Sequence, residues 1–386
     1  MNDLRINQLL ACKAEKLSYT NHMPSFIHHI ETALPPFSYR QNELRDRMKE
    51  IVDGTERDSR IIHHLYAKSG IETRHSVIND FRQAGSHTLF FNGQGAAPGT
   101  QNRNELYIEE GRKLFVKTAK KLISNPEFSP GDITHLVTVS CTGFYAPGPD
   151  YDIIQALGLS KNIERYHLGF MGCYAAIPAL KMADQICRAN SDANVMVVSV
   201  ELCTIHFQAN AQMDNLLSSS VFADGGAGAI VSSRAPANSG YQIDGFASSI
   251  TEKGSEDMAW SIGDRGFNMV LSNYIPEILG EGLEDFLHPV LNQYNLKLDD
   301  IDLWGVHPGG RAILDKVEKT LDLPKEYLNS SRNVLSKYGN MSSATVLFVL
   351  KDLLENESIT KYNSGRTLAM AFGPGLTLES ALLTRV

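Results

Sequence analysis

Cysteine is scarce: five residues, at positions 12, 141, 173, 187 and 203, in a chain of 386. An odd count with no Cys-x-x-Cys spacing argues against a disulfide framework and against a cysteine-based zinc site. Basic residues are outnumbered, 36 against 44 acidic, for a net charge of −8. No blanket of positive charge exists to hold a nucleic-acid backbone, although a local basic pocket for a small phosphorylated ligand remains open. Long apolar runs are missing too. The stretch Val346–Leu350 is far too short to span a bilayer, and charged residues within the first 16 positions leave no apolar signal core. The pairs His28-His29 and His63-His64 invite a metal reading, but adjacent helical side chains diverge by about 100°. No carboxylate–histidine spacing supports a site, so no metal is expected. With 42% hydrophobic and 21% charged residues, the composition is that of an ordinary globular protein. A cytoplasmic protein of a reducing compartment is expected, with neither membrane nor nucleic acid as partner.

The chain carries a repeated alternation of strand and helix patterns. Apolar residues spaced through Ser38–Lys68 and Asn104–Ile123 predict surface helices. Ile133–Ser140 and Ala227–Ser232 read as strands, and Val195–Val200 is an unbroken apolar run suited to a strand buried on both faces. Ser233–Gly240 (SRAPANSG) has the composition of a linker. Beyond it come strand patterns at Ile243–Ser248, Leu303–Val306, Leu368–Phe372 and Ser380–Leu383, with helical patterns at Asn273–Tyr294, Arg311–Leu321 and Ala344–Glu355 between them. Two α/β halves are therefore expected, residues 1–235 and 236–386.

Three short segments carry chemistry. In Gly172-Cys173-Tyr174-Ala175-Ala176 a cysteine stands at the mouth of a predicted helix, Ile177–Arg188. The helix dipole and free backbone N–H groups favour thiolate there, and the preceding glycine permits a sharp turn. A buried structural cysteine is the competing reading. His307 ends an apolar strand before Pro308-Gly309-Gly310, where α/β folds place reactive groups. Asn340, in Tyr338-Gly339-Asn340-Met341-Ser342-Ser343-Ala344, precedes an apolar helix and on its own reads as a cap or turn residue. Cys, His and Asn together form a nucleophile–base–polariser set, which papain-like proteases also use.

The flanking blocks decide. GCYAA, HPGGRAILDKVEK and YGNMSSATVLF, followed by Phe372-Gly373-Pro374-Gly375-Leu376, resemble the type III polyketide synthase (chalcone-synthase-like) family in sequence and order. The step from His307 to Asn340, 340 − 307 = 33 residues, fits as well. Upstream, Pro35-Pro36, Lys68-Ser69-Gly70-Ile71-Glu72-Thr73-Arg74 and Cys141-Thr142-Gly143 extend the resemblance over nearly the whole chain. It implies a thiolase-like α/β fold, two related βαβ-rich halves in a layered α-β-α-β-α arrangement, and a homodimer. It implies that Cys173 takes an acyl group from a coenzyme A thioester, with His307 holding the thiolate as an ion pair. The enolate left when malonyl-CoA loses carbon dioxide would then be stabilised by His307 and Asn340, at about 2.7–4 kcal/mol per donor. Coenzyme A thioesters are substrates in this reading, and no cofactor is expected.

The resemblance also assigns walls. Phe222, in Ser220-Val221-Phe222-Ala223-Asp224-Gly225, matches the family's gatekeeping phenylalanine, and Met269 falls where plant members carry a second gate phenylalanine. His206 falls at a threonine position of the cavity, and Cys141, Ser342, Gly309 and Gly310 are expected to line it. Trp260 either replaces a small cavity residue, shrinking the cavity, or lies in a surface loop. Lys68 matches one phosphate-contacting base of the family, while its usual companions are replaced by Ile61 and His64, with Arg60 nearby. Asp224–Gly228 superficially resembles a nucleotide loop but precedes a strand, so that reading is rejected. Two alternatives stand beside the polyketide synthase: a ketoacyl synthase III-like enzyme fed by a carrier protein, and a non-catalytic thiolase-fold subunit.

Overall fold

The computed structural model describes residues 23–81, 97–251, 256–272, 275–355 and 365–386. Cys12 and the expectation about the first residues lie outside that range. The strands, in chain order, are β1 (Ser25–Ala33), β2 (Phe37–Arg40), β3 (Thr73–Ser76), β4 (His135–Ser140), β5 (Glu164–Gly169), β6 (Asn194–Leu202), β7 (Asp224–Ser232), β8 (Tyr241–Ile250), β9 (Met258–Gly263), β10 (Gly266–Leu271), β11 (Leu303–Val306), β12 (Arg366–Gly373) and β13 (Thr377–Arg385). The helices are α1 (Gln41–Val52), α2 (Glu56–Lys68), α3 (Thr100–Leu106), α4 (Arg112–Ile123), α5 (Pro149–Leu157), α6 (Ala176–Ala189), α7 (Met213–Val221), α8 (Ile275–Gln293), α9 (Arg311–Thr320), α10 (Asn329–Tyr338) and α11 (Thr345–Glu355).

Nine strands form one sheet in the order β11-β12-β13-β8-β1-β7-β6-β4-β5. Its two ends share a winding. From β1 outward the pairings to β7, β6 and β4 run antiparallel, antiparallel, parallel. From β8 outward, the pairings to β13, β12 and β11 repeat that series. Only three residue pairs, Ser25–Ile27 against Tyr241–Ile243, join the two ends.

Side-chain alternation turns this sheet into layers. On β6, Val195 and Val197 pack with α6 and α11, whereas Met196, Val198 and Val200 face α4 and α5. On β12, Ala369 and Ala371 join the α6–α11 cluster, whereas Leu368, Met370 and Phe372 face α8 and α9. The order is therefore α4/α5, sheet, α6/α11, sheet, α8/α9, a thiolase-like five-layer α/β arrangement. Helix α11 explains its own place: Thr345 to Leu350 and Leu353 are buried, a helix apolar nearly all round and so enclosed between sheets. Full burial of each such side chain contributes about 1.5–3 kcal/mol.

Several elements depart from the sequence expectation. The histidine pair at 28–29 lies in a strand rather than a helix, and a β-bulge between Ile27 and His29 brings both rings near Phe128. His28 meets Glu127 and Ser232, both at 2.7 Å, while His29 meets the Leu122 carbonyl at 2.8 Å. The helix expected over Asn104–Ile123 begins at Thr100 and is broken by a π turn at Tyr107–Gly111. There Tyr107 lies so close over Gly143 that a Cβ would stand 2.1 Å from its ring. Strands β1, β2, β3, β5, β9 and β10 were not expected, Ser38–Arg40 of β2 falling in a stretch read as helix, and β9 pairs β10 as a hairpin whose Trp260 lies opposite Met269.

Candidate active site

One continuous cavity of about 230 Å³ collects the carboxyl ends of parallel strands from both halves of the sheet. Cys141 follows β4, Cys173 follows β5 and Cys203 follows β6, while His307 follows β11 and Pro374 follows β12; all five line it. Cys173, His307 and Asn340, the trio expected from sequence, are brought together here, each at least nine-tenths buried.

The Cys173 turn is built by close approach. Gly172 has φ +87°, and a Cβ there would stand 2.3 Å from Cδ of Pro374. A Cβ on Gly373 would meet Tyr174 at 2.5 Å and the Cys173 backbone nitrogen at 3.3 Å. The Phe372–Leu376 block thus clamps the turn that presents the sulfur at the start of α6. Burial pushes the Cys173 thiol up to about 11, opposed by hydrogen bonds from Ser342 and then Asn340.

His307 continues β11, its backbone N–H donating to the Met370 carbonyl at 2.8 Å. Both ring nitrogens are buried without a hydrogen-bond partner, and burial lowers its pKa to about 3. A buried, wholly unpaired imidazole is costly and marks a group held ready for another partner. The geometry therefore contains no Cys173–His307 hydrogen bond, and burial alone keeps both groups neutral. An ion pair between them forms only if both charges arise together.

Asn340 is fixed on every side. Its backbone N–H donates to the Val221 carbonyl at 2.9 Å, and its carbonyl accepts from Ala223 at 2.8 Å. Its Oδ1 accepts from the Ser342 N–H at 2.8 Å and its Nδ2 donates to the Gly309 carbonyl at 3.1 Å. A carboxamide nitrogen carries two hydrogens, so this leaves one N–H for the cavity. The same backbone bridge straddles Phe222, which lines the cavity.

Sequence reasoning quoted Arg74 without a role. It is buried, donates from Nη1 to the carbonyls of Ser219 and Phe222, each at 2.7 Å, and packs against Gly339. It braces the gate residue and the Asn340 loop at once. A lone arginine in a charged, helix-flanked segment gave no signal of this.

The other expected wall residues mostly take their places. Met269, Cys141, His206, Ser342, Gly309 and Gly310 all line the cavity. Trp260 does too, on the hairpin and not in a surface loop, with its indole N–H donating to the Cys141 carbonyl at 2.8 Å. His206 acts as a fastener: Nε2 donates to the Thr142 carbonyl at 2.7 Å, Nδ1 accepts from the Phe267 N–H at 3.1 Å, and the ring stacks on Phe267 at 4.0 Å. Burial lowers its pKa to about 3, so it is a neutral wall. Lys68 is exposed at the end of α2 and outside the cavity lining.

Glu201, which the sequence reading passed over, lies fully buried beneath this wall. It accepts from the Cys141 N–H at 3.0 Å and from Thr142 at 2.8 Å, and Ser343 bonds to it as well. Burial raises its pKa.

The N-terminal domain model of chalcone and stilbene synthases matches residues 13–235, and the C-terminal domain model matches residues 246–386. The chain belongs to the chalcone and stilbene synthase family, the type III polyketide synthases. An alpha-pyrone synthesis polyketide synthase-like protein of Mycobacterium tuberculosis is 29% identical, over 92% of this chain and 90% of that one. A probable polyketide synthase of Dictyostelium discoideum is 27% identical over 96% of this chain, which spans only 12% of that much longer protein. Among solved structures, a polyketide synthase of the brown alga Ectocarpus siliculosus superposes with a TM-score of 0.87 at 28% identity, covering 95% of this chain and 99% of that one. The C-terminal type III domain of a type I/III hybrid from Dictyostelium gives 0.86 at 26%, covering 95% and 100%. This type III polyketide synthase is thus a condensing, acyl-transferring enzyme. The match favours that reading over the ketoacyl synthase and the non-catalytic subunit.

Proposed function

We propose that the enzyme loads an acyl group from a coenzyme A thioester onto Cys173, extends it with malonyl-CoA and releases a pyrone- or resorcinol-type ring. The observation that carries this reading is the unpaired His307 imidazole together with the Asn340 amide N–H left over from the Gly309 bond and turned toward Cys173, in the cavity that all three line. Two donors aimed into a dry site suit a developing enolate oxygen.

In the loading step the Cys173 sulfur bonds to the acyl carbon and the coenzyme A thiolate leaves. His307 takes the thiol proton, so thiolate and imidazolium arise as one pair. Malonyl-CoA then loses carbon dioxide; the electrons of the broken C–C bond move into an enolate whose oxygen faces His307 and Asn340. The enolate carbon attacks the acyl-Cys173 carbonyl and frees the sulfur for another cycle. Phe222 covers the thioester with an apolar face and keeps water away.

Two exposed cations suit the coenzyme A phosphates. Lys68 ends α2, and Arg311 opens α9 directly after Gly310 of the cavity wall; a Cβ on Gly70 would stand 3.3 Å from Cβ of Arg311. A homodimer through the β5 edge is supported by its position at the end of the sheet and by exposed Phe144 and Tyr166 beside it.

The test is mass spectrometry of the enzyme with malonyl-CoA and a panel of acyl-CoA starters, beside Cys173→Ala. Two-carbon extensions, and an acyl adduct on Cys173 that the variant lacks, are expected. Consumption of a carrier-protein thioester with malonyl-CoA untouched would overturn the reading.

A further inference from the structure

We propose that Phe170 is a positioning residue for Cys173: its ring, wedged between Phe144 and Phe267, holds a left-handed backbone three positions ahead of the cysteine and so sets the turn that presents the sulfur. The inference rests on the reading of Cys173 as the acyl acceptor and adds a residue to which that reading gives no role.

Backbone strain is unevenly spread over the molecule. Among the described residues, six other than glycine have a left-handed φ. Asp53, Asn295 and Asp322 do so just beyond α1, α8 and α9, where a short polar side chain tolerates that conformation. Phe170, Ser342 and Leu376 lack that compensation, and all three lie on segments that meet Cys173. Ser342 bonds to the sulfur, Leu376 ends the block that clamps Gly172, and Phe170 stands in the turn itself. Phe170, at φ +59°, is the bulkiest of them. Strain of this kind persists only where the surroundings over-determine it, and it clusters at active sites.

The local path of the chain requires the conformation. Strand β5 runs parallel to β4 as far as the pair Ser140–Gly169, and the Phe170 N–H makes the last rung, donating to the Ser140 carbonyl at 3.2 Å. From there the chain must leave the sheet and reach Cys173 through Met171 and Gly172. It turns at two left-handed residues, Phe170 and Gly172. Glycine adopts that backbone freely. Phenylalanine does not, and something must hold it there.

A cluster of rings does so. Phe170 stands edge to face with Phe267 at 5.7 Å and meets Phe144 at 5.5 Å. Both neighbours are fixed independently. Phe267 is buried on β10, stacks on His206 at 4.0 Å and donates its N–H to that ring at 3.1 Å. Phe144 is tied through its backbone N–H and carbonyl to the Asn104 carboxamide, at 2.9 and 2.8 Å. Phe170 does not line the cavity, so it reaches the reaction only through the turn that follows it. Without its ring, the backbone at 170 would relax to negative φ and swing Gly172. The sulfur would then move away from Ser342 and Asn340, whose hydrogen bonds oppose the effect of burial.

Three variants test the assignment, each read on folded protein of wild-type oligomeric state. Phe170→Ala removes the ring but keeps the left-handed penalty. Iodoacetamide alkylation of Cys173, followed by peptide mapping, and kcat for condensation should both fall about tenfold or more. KM for malonyl-CoA should stay within about twofold of wild type, and the alkylation profile should move to higher pH as the sulfur loses its donors. Phe170→Gly removes ring and penalty together and should recover about threefold over the alanine variant; lost packing alone predicts the reverse order. Phe267→Leu leaves residue 170 in place but unpins it. It should slow alkylation in the same direction and add little in the Phe170→Ala background. A glycine variant no faster than the alanine one, or profiles that superimpose on wild type, would overturn the inference. Should Phe170→Ala fail to fold, the Phe267→Leu profile decides alone. If wild-type Cys173 takes up no acyl group from any acyl-CoA, the parent reading fails; an acylated Cys173 indifferent to residue 170 defeats only this inference.

Discussion

Two of the turns that line the cavity, those after β4 and β5, hold their cysteines in unlike surroundings. Cys173 follows β5 at the start of α6, where Ser342 eases its ionisation against burial and Asn340 offsets part of the opposing Glu201 charge. Cys141 follows β4, where burial and then the Glu201 carboxylate raise its thiol pKa far above the ordinary value, with Sγ 3.2 Å from Oε1. Both thiols are buried, so burial does not separate them. The balance of their shared partners does: after burial, the Ser342 hydrogen bond outweighs the Glu201 charge at Cys173, whereas the Glu201 charge outweighs the Ser342 bond at Cys141. The comparison teaches that reactivity here is written in the residues around each sulfur, on segments distant in sequence.

The largest break in that comparison comes from deleting each sulfur. Cys173→Ala should abolish condensation, by more than about a thousandfold, whereas Cys141→Ala should keep activity within about tenfold; kcat/KM for one starter with malonyl-CoA measures both. Comparable losses in the two variants would mean that the two turns share the chemistry.

Removing the groups around Cys173 should cost less. Asn340→Ala loses one enolate donor, and a drop in malonyl-CoA decarboxylation of about a hundredfold to a thousandfold is expected. His307→Ala has a pH signature as well. With the imidazole gone, burial governs the thiol, and alkylation of Cys173 should keep rising with pH toward about 11. In wild type, thiolate gained through the imidazolium pair should appear at lower pH, so the two profiles separate. Superimposed profiles would show that His307 does not assist ionisation and serves the enolate alone.

Glu201→Gln acts on the other turn. Loss of the carboxylate charge should bring the Cys141 thiol down, since that charge raises it. At pH 9, where the wild-type carboxyl is more fully ionised, Cys141 alkylation should speed up severalfold relative to Cys173. Peptide mapping after iodoacetamide resolves the two sites, and an unchanged ratio would remove Glu201 as the cause of the difference.

The gathering of Cys173, His307 and Asn340 in one cavity was legible because each residue sits in a short block whose glycines are required locally. Gly172 in a left-handed turn against Pro374 is one example. Strand β6 and helix α11 were legible because a segment buried on all sides must be apolar throughout. Strand β1 was hidden: SFIHHIETA is buried with two histidines whose partners, Glu127, Ser232 and Leu122, lie about a hundred or more positions away or nearly so. Strand β5 was hidden for the opposite reason, since an edge strand with an exposed face, ERYHLG, carries no apolar pattern. Arg74 and Glu201 act through backbone carbonyls, amides and hydroxyls supplied by distant segments, which no local spacing reveals.

The finest test leaves both sulfurs in place. Trp260→Phe keeps an aromatic ring opposite Met269 but removes the N–H that donates to the Cys141 carbonyl. A hydrogen bond of this kind contributes about 0.5–1.5 kcal/mol, enough to loosen the Cys141 turn and too little to disturb Cys173, which the Phe372–Leu376 block clamps separately. The first condensation should therefore stay within about threefold of wild type, while the distribution of chain lengths shifts as the hairpin wall yields. Liquid chromatography of products from one starter reads both quantities together. A slowed first condensation with an unchanged product distribution would place Trp260 in support of Cys173, and the two turns would then be one mechanical unit.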